Sequence, residues 1–265
     1  KNVYLGNSLI YSSIDNDAQL FISAAQITDG VQISAINKLV TDLKSNNIWV
    51  KMKAIYPFVG GSASSHKFNL KDARDLDAAF RITFNGGITH SANGIQGNGT
   101  NGFSDTNLNQ LNNLSSSNNH VSIYSRTDVN PSIAVDMGIT NNTSFSFSQL
   151  QTRSGGNAKI ENGSQIVNIT TPDSLGFYIG SSTASSTKLY KNNAILGTSS
   201  TTQTRSLFNA CIYIGASNDA VSVIARYYTA RQYCFSSIGE GLTDTEAANL
   251  YTIVQQYQTS LNRQV

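Results

Sequence analysis

Two hydrophobic periods divide this chain. Between residues 17 and 47 apolar positions recur every three to four residues: Leu20, Phe21, Ala24 and Ile27, then Ile33, Ile36, Val40 and Leu43. That spacing gathers them on one face of a helix. Asp17 is a suitable N-cap for the first segment, Asp29-Gly30 separates the two, and Asn46-Asn47 closes the second, so the pattern predicts a helical hairpin over 17–47. Trp49, Met52, Ile55, Tyr56 and Phe58 follow as an apolar patch on which the hairpin can dock, and Trp49 is read as core rather than as a ligand platform. From residue 66 the period shortens to that of strands. The strand-like stretches are Ala79–Phe84, Val121–Tyr124, Ile133–Met137, Ser144–Gln149, Ala158–Ile160 and Gln165–Ile169. They continue with Gly176–Ile179, Thr187–Tyr190, Ala194–Leu196, Cys211–Ile214, Val221–Tyr227 and Arg231–Ile238.

Gly, Asn and Ser clusters such as Asn85-Gly86-Gly87 and Ser154-Gly155-Gly156 punctuate these stretches. Many short strands at roughly ten-residue spacing predict a mainly β chain, an antiparallel jelly-roll sandwich. Pro57, Pro131 and Pro172 fall at the boundaries, where a missing N–H costs the ladder nothing. The last element is marked most plainly. Thr243-Asp244-Thr245-Glu246 has the form of a capping box, and behind it Ala247, Leu250, Tyr251, Val254, Tyr257 and Leu261 make one apolar stripe, so a helix is expected over 244–261. The organisation read from this is a helical N-terminal segment, residues 1–65, docked on a sandwich, residues 66–265, that closes with a C-terminal helix.

Composition narrows the function classes. Of 265 residues 39 % are hydrophobic, ample for one core, but only 13 % are charged, about half the usual ~25 %. Polarity therefore comes from Asn, Ser and Thr. The formal net charge is +2 and no Lys/Arg stripe exists, so nucleic acid is not an expected partner. No apolar stretch reaches the ~20 residues of a bilayer span, so membrane insertion is not expected. Lys1-Asn2-Val3-Tyr4 lacks a signal-peptide pattern, and the absent initiator Met points to processing or to a piece of a longer protein. Cys211 and Cys234 sit in strand-like runs and are expected to be reduced and buried, in keeping with assembly in a cytoplasm.

The search for chemistry is mostly negative. His66, His90 and His120 are too scattered for a zinc site with two cysteines, so neither metal nor cofactor is expected. The only glutamates are Glu161, Glu240 and Glu246, with no carboxylate pair of the kind that glycoside hydrolysis needs. Asp72, Asp75 and Asp77 do not have calcium-loop spacing, and Lys71 and Arg74 offset their charge. There is no Gly-x-Ser-x-Gly elbow, and Gly94–Gly99 reads as a mobile loop rather than a phosphate loop. The Asn-x-Thr triplets at Asn98, Asn141 and Asn168 are expected by chance in such a sequence.

Two resemblances add to this reading. Leu189-Tyr190-Lys191-Asn192-Asn193-Ala194-Ile195-Leu196-Gly197 resembles the strand–turn–strand hairpin of laminin-G/concanavalin-A-like sandwiches, with Asn193 where that family usually has Gly. Ile212–Ala216, Asn98–Phe103 and Leu242–Tyr251 resemble further pieces of it in the right order, over about residues 95–255. The block Tyr56–Gly61, His66–Asp72 and Asp75–Arg81 is similar to one in virion proteins of tailed bacteriophages. This second resemblance implies a non-enzymatic virion surface protein, a capsid decoration or fibre on the particle exterior. Other virion proteins and copies of itself would be its partners, with host surface glycans as a ligand class. The alternatives are a carbohydrate-binding appendage of a bacterial surface protein and a degenerate polysaccharide depolymerase. For glycan contact the expected residues are Ser122, Tyr124 and Arg126, which alternation puts on one side of a strand beside Ile133–Met137. That strand looks like one lining the concave sheet of concanavalin-A-like folds.

Overall fold

Strand Asn119–Ser125 explains the layering. Val121 and Ile123 point into a core shared between two sheets, whereas Tyr124 points the other way, into a core shared with helices. In the computed structural model, which describes residues 2–5, 8–11, 14–144, 146–200 and 207–265, three layers therefore stack. The inner sheet runs in the order Ala194–Ser199, Thr187–Lys191, Gly176–Ser182, Asn119–Ser125, Gln232–Gly239, Gly94–Gln96 and Thr89–Ser91. Met52–Tyr56 pairs with the far end of Gln232–Gly239. The outer sheet runs Gln165–Thr170, Asn157–Asn162, Ser146–Ser154, Met137–Asn141, Cys211–Ile214, Phe103–Asn109 and Thr83–Asn85. Among the described strands pairing is antiparallel except where Ser217–Asp219 runs parallel to Met137–Asn141. The chain is thus the mainly β antiparallel sandwich that its alternation predicts, with an N-terminal helical hairpin and a C-terminal helix.

The helices cover the inner sheet. The first, Asn16–Ala24, is capped by Asp15, whose side chain accepts from the Asp17 amide. The cap is therefore two residues upstream of the expected Asp17, and Leu20 lies exposed while Ala18, Phe21 and Ile22 are buried. The second, Gly30–Ser45, is capped by Asp29 and buries Ile36, Leu39, Val40 and Leu43. The C-terminal helix, Asp244–Ser260, carries the expected capping box in full and buries Leu250, Val254 and Tyr257 against the same layer. Trp49 is buried there, with the Lys71 ammonium 4.3 Å from its ring. Strand Met52–Tyr56 belongs to the inner sheet, so the sandwich reaches into the first 65 residues.

A buried arginine closes the helical layer. Arg263, 2 % exposed, donates only to carbonyl oxygens: Nε to the Gln258 side chain at 3.0 Å, and its terminal nitrogens to Phe58 at 2.7 Å and to Pro57 and Cys234 at 3.2 Å.

Several sequence expectations are corrected. Ile133–Met137 is not a strand and does not flank Asn119–Ser125; the strand begins at Met137 and lies in the other sheet. Ala79–Phe84 is broken by Phe80 at φ +59°, and Val221–Tyr227 by Val223 at +54° and Tyr227 at +58°. Gly94–Gln96 is a strand rather than part of a loop. In the hairpin after Thr187–Lys191 the left-handed residue is Asn192, not Asn193, and its side chain accepts from the Phe177 amide. Both cysteines are free; Cys234 is buried, but Cys211 is only half-buried. Burial pushes their thiols up to about 12 and about 11 respectively.

Candidate functional site

Ser122, Tyr124 and Arg126 occupy the helix-covered side of the inner sheet. Tyr124 has no exposed surface; its hydroxyl donates to Gln255 and accepts from the Val265 amide at 3.1 Å, and its ring stacks on Phe177 at 6.1 Å. Ser122 shares a hydrogen bond with Ser237 at 2.6 Å, and Arg126 donates to the Arg263 carbonyl and the Gln232 side chain. The expectation of an exposed sugar-stacking tyrosine at 124 is therefore corrected: alternation gave the right side of the strand, but helix docking covers that side. Asp128 and Asp136, the carboxylates nearest in sequence to Arg126, pair instead with Arg153 and Arg231.

With the middle of the inner sheet covered on both faces, the face of the outer sheet that points away from the sandwich core is a broad β surface open to a ligand. A depression on it lies over three strands. Register places Gln149 opposite Glu161 and Glu161 opposite Ile166; one pair along, Gln151 faces Lys159 and Lys159 faces Asn168. Because alternate residues share a face, these six side chains form two cross-strand rows above Leu150, Ile160 and Val167, which go into the core. The sequence signal was the polar–apolar alternation of Gln149-Leu150-Gln151 and Lys159-Ile160-Glu161, half-exposed strands whose polar side marks the open face.

The floor is ordered by its own contacts. The Gln149 side-chain amide donates to Glu161, and the Lys159 ammonium lies 3.7 Å from the same carboxylate. Gln149 is 4 % exposed, and its Oε1 is buried with no hydrogen-bond partner among the described residues. Its cross-strand partner is Gly138, where a Cβ would stand 2.6 Å from the Cβ of Gln149; only a bare α-carbon leaves room. One wall is Ile133, 53 % exposed, and the other is Tyr227. Tyr227 is held by its hydroxyl, which donates to Asn142 at 2.9 Å; Asn142 donates in turn to Asp219, which also accepts from Arg226 at 2.8 Å. Burial would raise the Asp219 carboxyl, but hydrogen bonds from Ser222, Arg226, Val221 and Asn142 outweigh it and hold the group well below the usual carboxylate range.

The result is a groove of about 260 Å³. It offers amide donors and acceptors, one compensated Lys–Glu pair and an aromatic and aliphatic flank. Groups of this kind answer hydroxyls, which both donate and accept, and the C–H faces between them. Glu161 is the one carboxylate among the groove's described lining residues. Farther along the same face Phe103, Tyr213 and Tyr228 occupy one another, with Phe103 and Tyr213 rings 4.6 Å apart. Among the described residues no group of three His, Cys, Asp or Glu side chains is placed to hold a metal. Asp72, Asp75 and Asp77 are engaged by Arg74, Lys67 and Arg81. No described helix is long and apolar enough to cross a membrane.

Among solved structures the chain is similar to domain 4 of AbnA, a GH43 extracellular arabinanase from Geobacillus stearothermophilus, in complex with arabinotriose. The TM-score is 0.54 at 16 % identity, covering 76 % of this chain and 98 % of that one. It is also similar to a chain of botulinum neurotoxin type C, whose cell entry depends on interaction with two ganglioside molecules. There the TM-score is 0.53 at 10 % identity, covering 80 % of this chain and 53 % of that one. At such identities the likeness is one of fold, a β-sandwich. No family model matches the sequence, and no curated protein matches it.

Proposed function

We propose that this chain is a non-catalytic glycan-binding module whose ligand lies in the outer-sheet groove against Tyr227. One observation carries the reading: the two cross-strand rows, Gln149–Glu161–Ile166 and Gln151–Lys159–Asn168, on the open sheet face. Amide-rich floors with an aromatic wall suit uncharged polyhydroxyl ligands, and the pairing of Lys159 with Glu161 leaves no free charge to select an anionic one. A single carboxylate lacks the partner that hydrolysis of a glycosidic bond requires. The fold shared with an arabinanase domain bound to arabinotriose makes arabino-oligosaccharides the first ligands to try. A glycan array followed by calorimetry tests this: Tyr227→Ala and Gln151→Ala should each weaken binding while the chain stays folded at the assay temperature, as circular dichroism would show. Binding indifferent to both changes, or no binding to any glycan, would sink the proposal. Release of reducing sugar from a bound polysaccharide would instead establish a depolymerase.

The setting we propose is display at a surface. A carbohydrate-binding appendage of a bacterial surface protein accords with the groove and with the fold comparison. Display on a phage particle, among other virion proteins and further copies of itself, rests on the block from Tyr56 to Arg81 alone. Labelling of purified particles with antibody to this chain separates the two, and several hundred further residues with an enzyme domain in the native polypeptide would favour the appendage.

A further inference from the structure

The hairpin formed by Ser217–Asp219 and Ile224–Arg226 ends in a turn that exposes Val221 at 58 %, Val223 at 72 % and Ile224 at 47 %. Among the described residues thirteen large hydrophobic side chains are exposed, and three of them fall within these four positions. Val223 adopts φ +54°. A β-branched residue is strained there, whereas Asn or Gly would sit at ease. One residue thus bears two costs, aliphatic exposure and backbone strain, and neither contributes to the fold.

The turn is firmly based. Val223 N–H donates to the Asp219 carbonyl at 2.7 Å, Ala220 N–H to the Thr140 carbonyl at 2.8 Å, and Arg226 is tied to Asp219. Ile224 precedes Tyr227 by three residues, so its backbone lies within about 10 Å of that groove residue. Ile133, 53 % exposed, lines the groove, and Ile166, 48 % exposed, stands opposite Glu161 on the next strand. A polar floor with an aliphatic spike at its side matches a ligand that is polar at one end and apolar at the other.

We propose that the Val221–Ile224 tip inserts into the acyl layer of a lipid bilayer, so that the glycan held in the groove is one anchored at a membrane surface. This rests on the groove reading above and names the form in which the glycan is met. Three aliphatic side chains fall far short of the ~800 Å² per partner of a stable protein interface, but a small convex apolar tip suits shallow interfacial insertion. The tip residues carry no charge and Arg226 is neutralised by Asp219, which fits a neutral bilayer rather than an anionic one.

The test places an environment-sensitive fluorophore at Ser222→Cys in a Cys211→Ser background and adds phosphatidylcholine vesicles. The fluorophore should shift to the blue and brighten, and the added substitutions Val221→Ser and Ile224→Ser should lower partitioning by roughly tenfold or more. Val223→Asn alone, which relieves the backbone, should weaken partitioning while leaving the thermal midpoint equal or higher. Free-oligosaccharide affinity should survive all of these, whereas Tyr227→Ala should lose the sugar and keep the vesicle signal, so tip and groove fail separately. No shift at millimolar lipid overturns the proposal. So does a shift that depends on protein concentration without vesicles, which would mean that the tip meets a second copy.

Discussion

Arg231 and Asp136 meet at 2.9 Å, and neither side chain is exposed. Asp136 also accepts from the Thr152 amide at 2.6 Å and the Tyr233 hydroxyl at 2.5 Å, while Arg231 donates to the Val129 carbonyl at 2.9 Å. The pair joins Gln232–Gly239 of the inner sheet to Ser146–Ser154 of the outer one and pins the loop that carries Ile133. Burial, and then the Asp136 charge, push the Tyr233 hydroxyl well above its ordinary value, which keeps it a donor. Removing one partner strands the other charge, so Asp136→Asn or Arg231→Met should cost about 3–5 kcal/mol in urea unfolding. A loss below about 1 kcal/mol would show that water reaches the pair.

The groove should bind without regard to salt. Lys159 is compensated by Glu161, so affinity for a neutral oligosaccharide should change by less than about twofold as salt rises to 1 M, where the Debye length is ~3 Å. Lys159→Met should strip Glu161 of its cation and weaken both binding and stability. A steep salt dependence measured by calorimetry would point to an anionic ligand instead.

Acid should destabilise the fold through its histidines. His66 is buried with its Nδ1 3.0 Å from that of His90, and burial, with the His90 and Arg263 charges, pushes it down to about 3. Burial also pushes His120 down to about 4, although its bond to the Glu240 carbonyl works the other way. Above the ordinary His value of ~6.5 these groups are neutral folded and unfolded and cost nothing. Below it the unfolded chain takes up protons that the folded chain refuses, so stability should fall by up to ~1.4 kcal/mol per pH unit for each of the two, down to about pH 4. Denaturant midpoints that stay flat from pH 6.5 to 4 would contradict this.

The C-terminal helix separates a cap from a core. Thr243→Ala removes the capping oxygen that accepts from Glu246 N–H and should cost about 1 kcal/mol. Leu250→Asp or Val254→Asp would bury a carboxylate where the native side chain has no exposed surface, and should detach the helix or unfold the chain. Equal tolerance of all three in circular dichroism melts would mean that the helix does not dock as described.

The parts of the fold legible in the sequence were those where local chemistry and tertiary placement agree. Cys211–Ile214, the Thr187–Ser199 hairpin and the Thr243–Glu246 box fall where periodicity and capping put them. The failures share a physical cause. Phe80, Val223 and Tyr227 take left-handed backbone angles that side-chain type gives no hint of, so runs with convincing alternation are broken at one or two residues. Ile133–Met137 looked like a strand, but Asp136 is bound as a buried acceptor within a loop, and pairing starts only after it. The candidate site was not legible: the expected Ser122, Tyr124 and Arg126 lie outside the groove, and although Gln149, Lys159 and Glu161 alternate with apolar neighbours, nothing local says that helices cover Tyr124 and leave the opposite sheet open.

Arg263 sets the order of events on the ribosome. Its guanidinium bridges backbone of Pro57 and Phe58, some 205 positions earlier, so the helical layer cannot lock until residue 263 has been made and has left the ribosome. Contacts so distant in sequence are slow to close. During that wait the apolar face of the first two helices and of the inner sheet has no C-terminal helix to cover it, the state in which a partly made chain is most open to aggregation or to a chaperone.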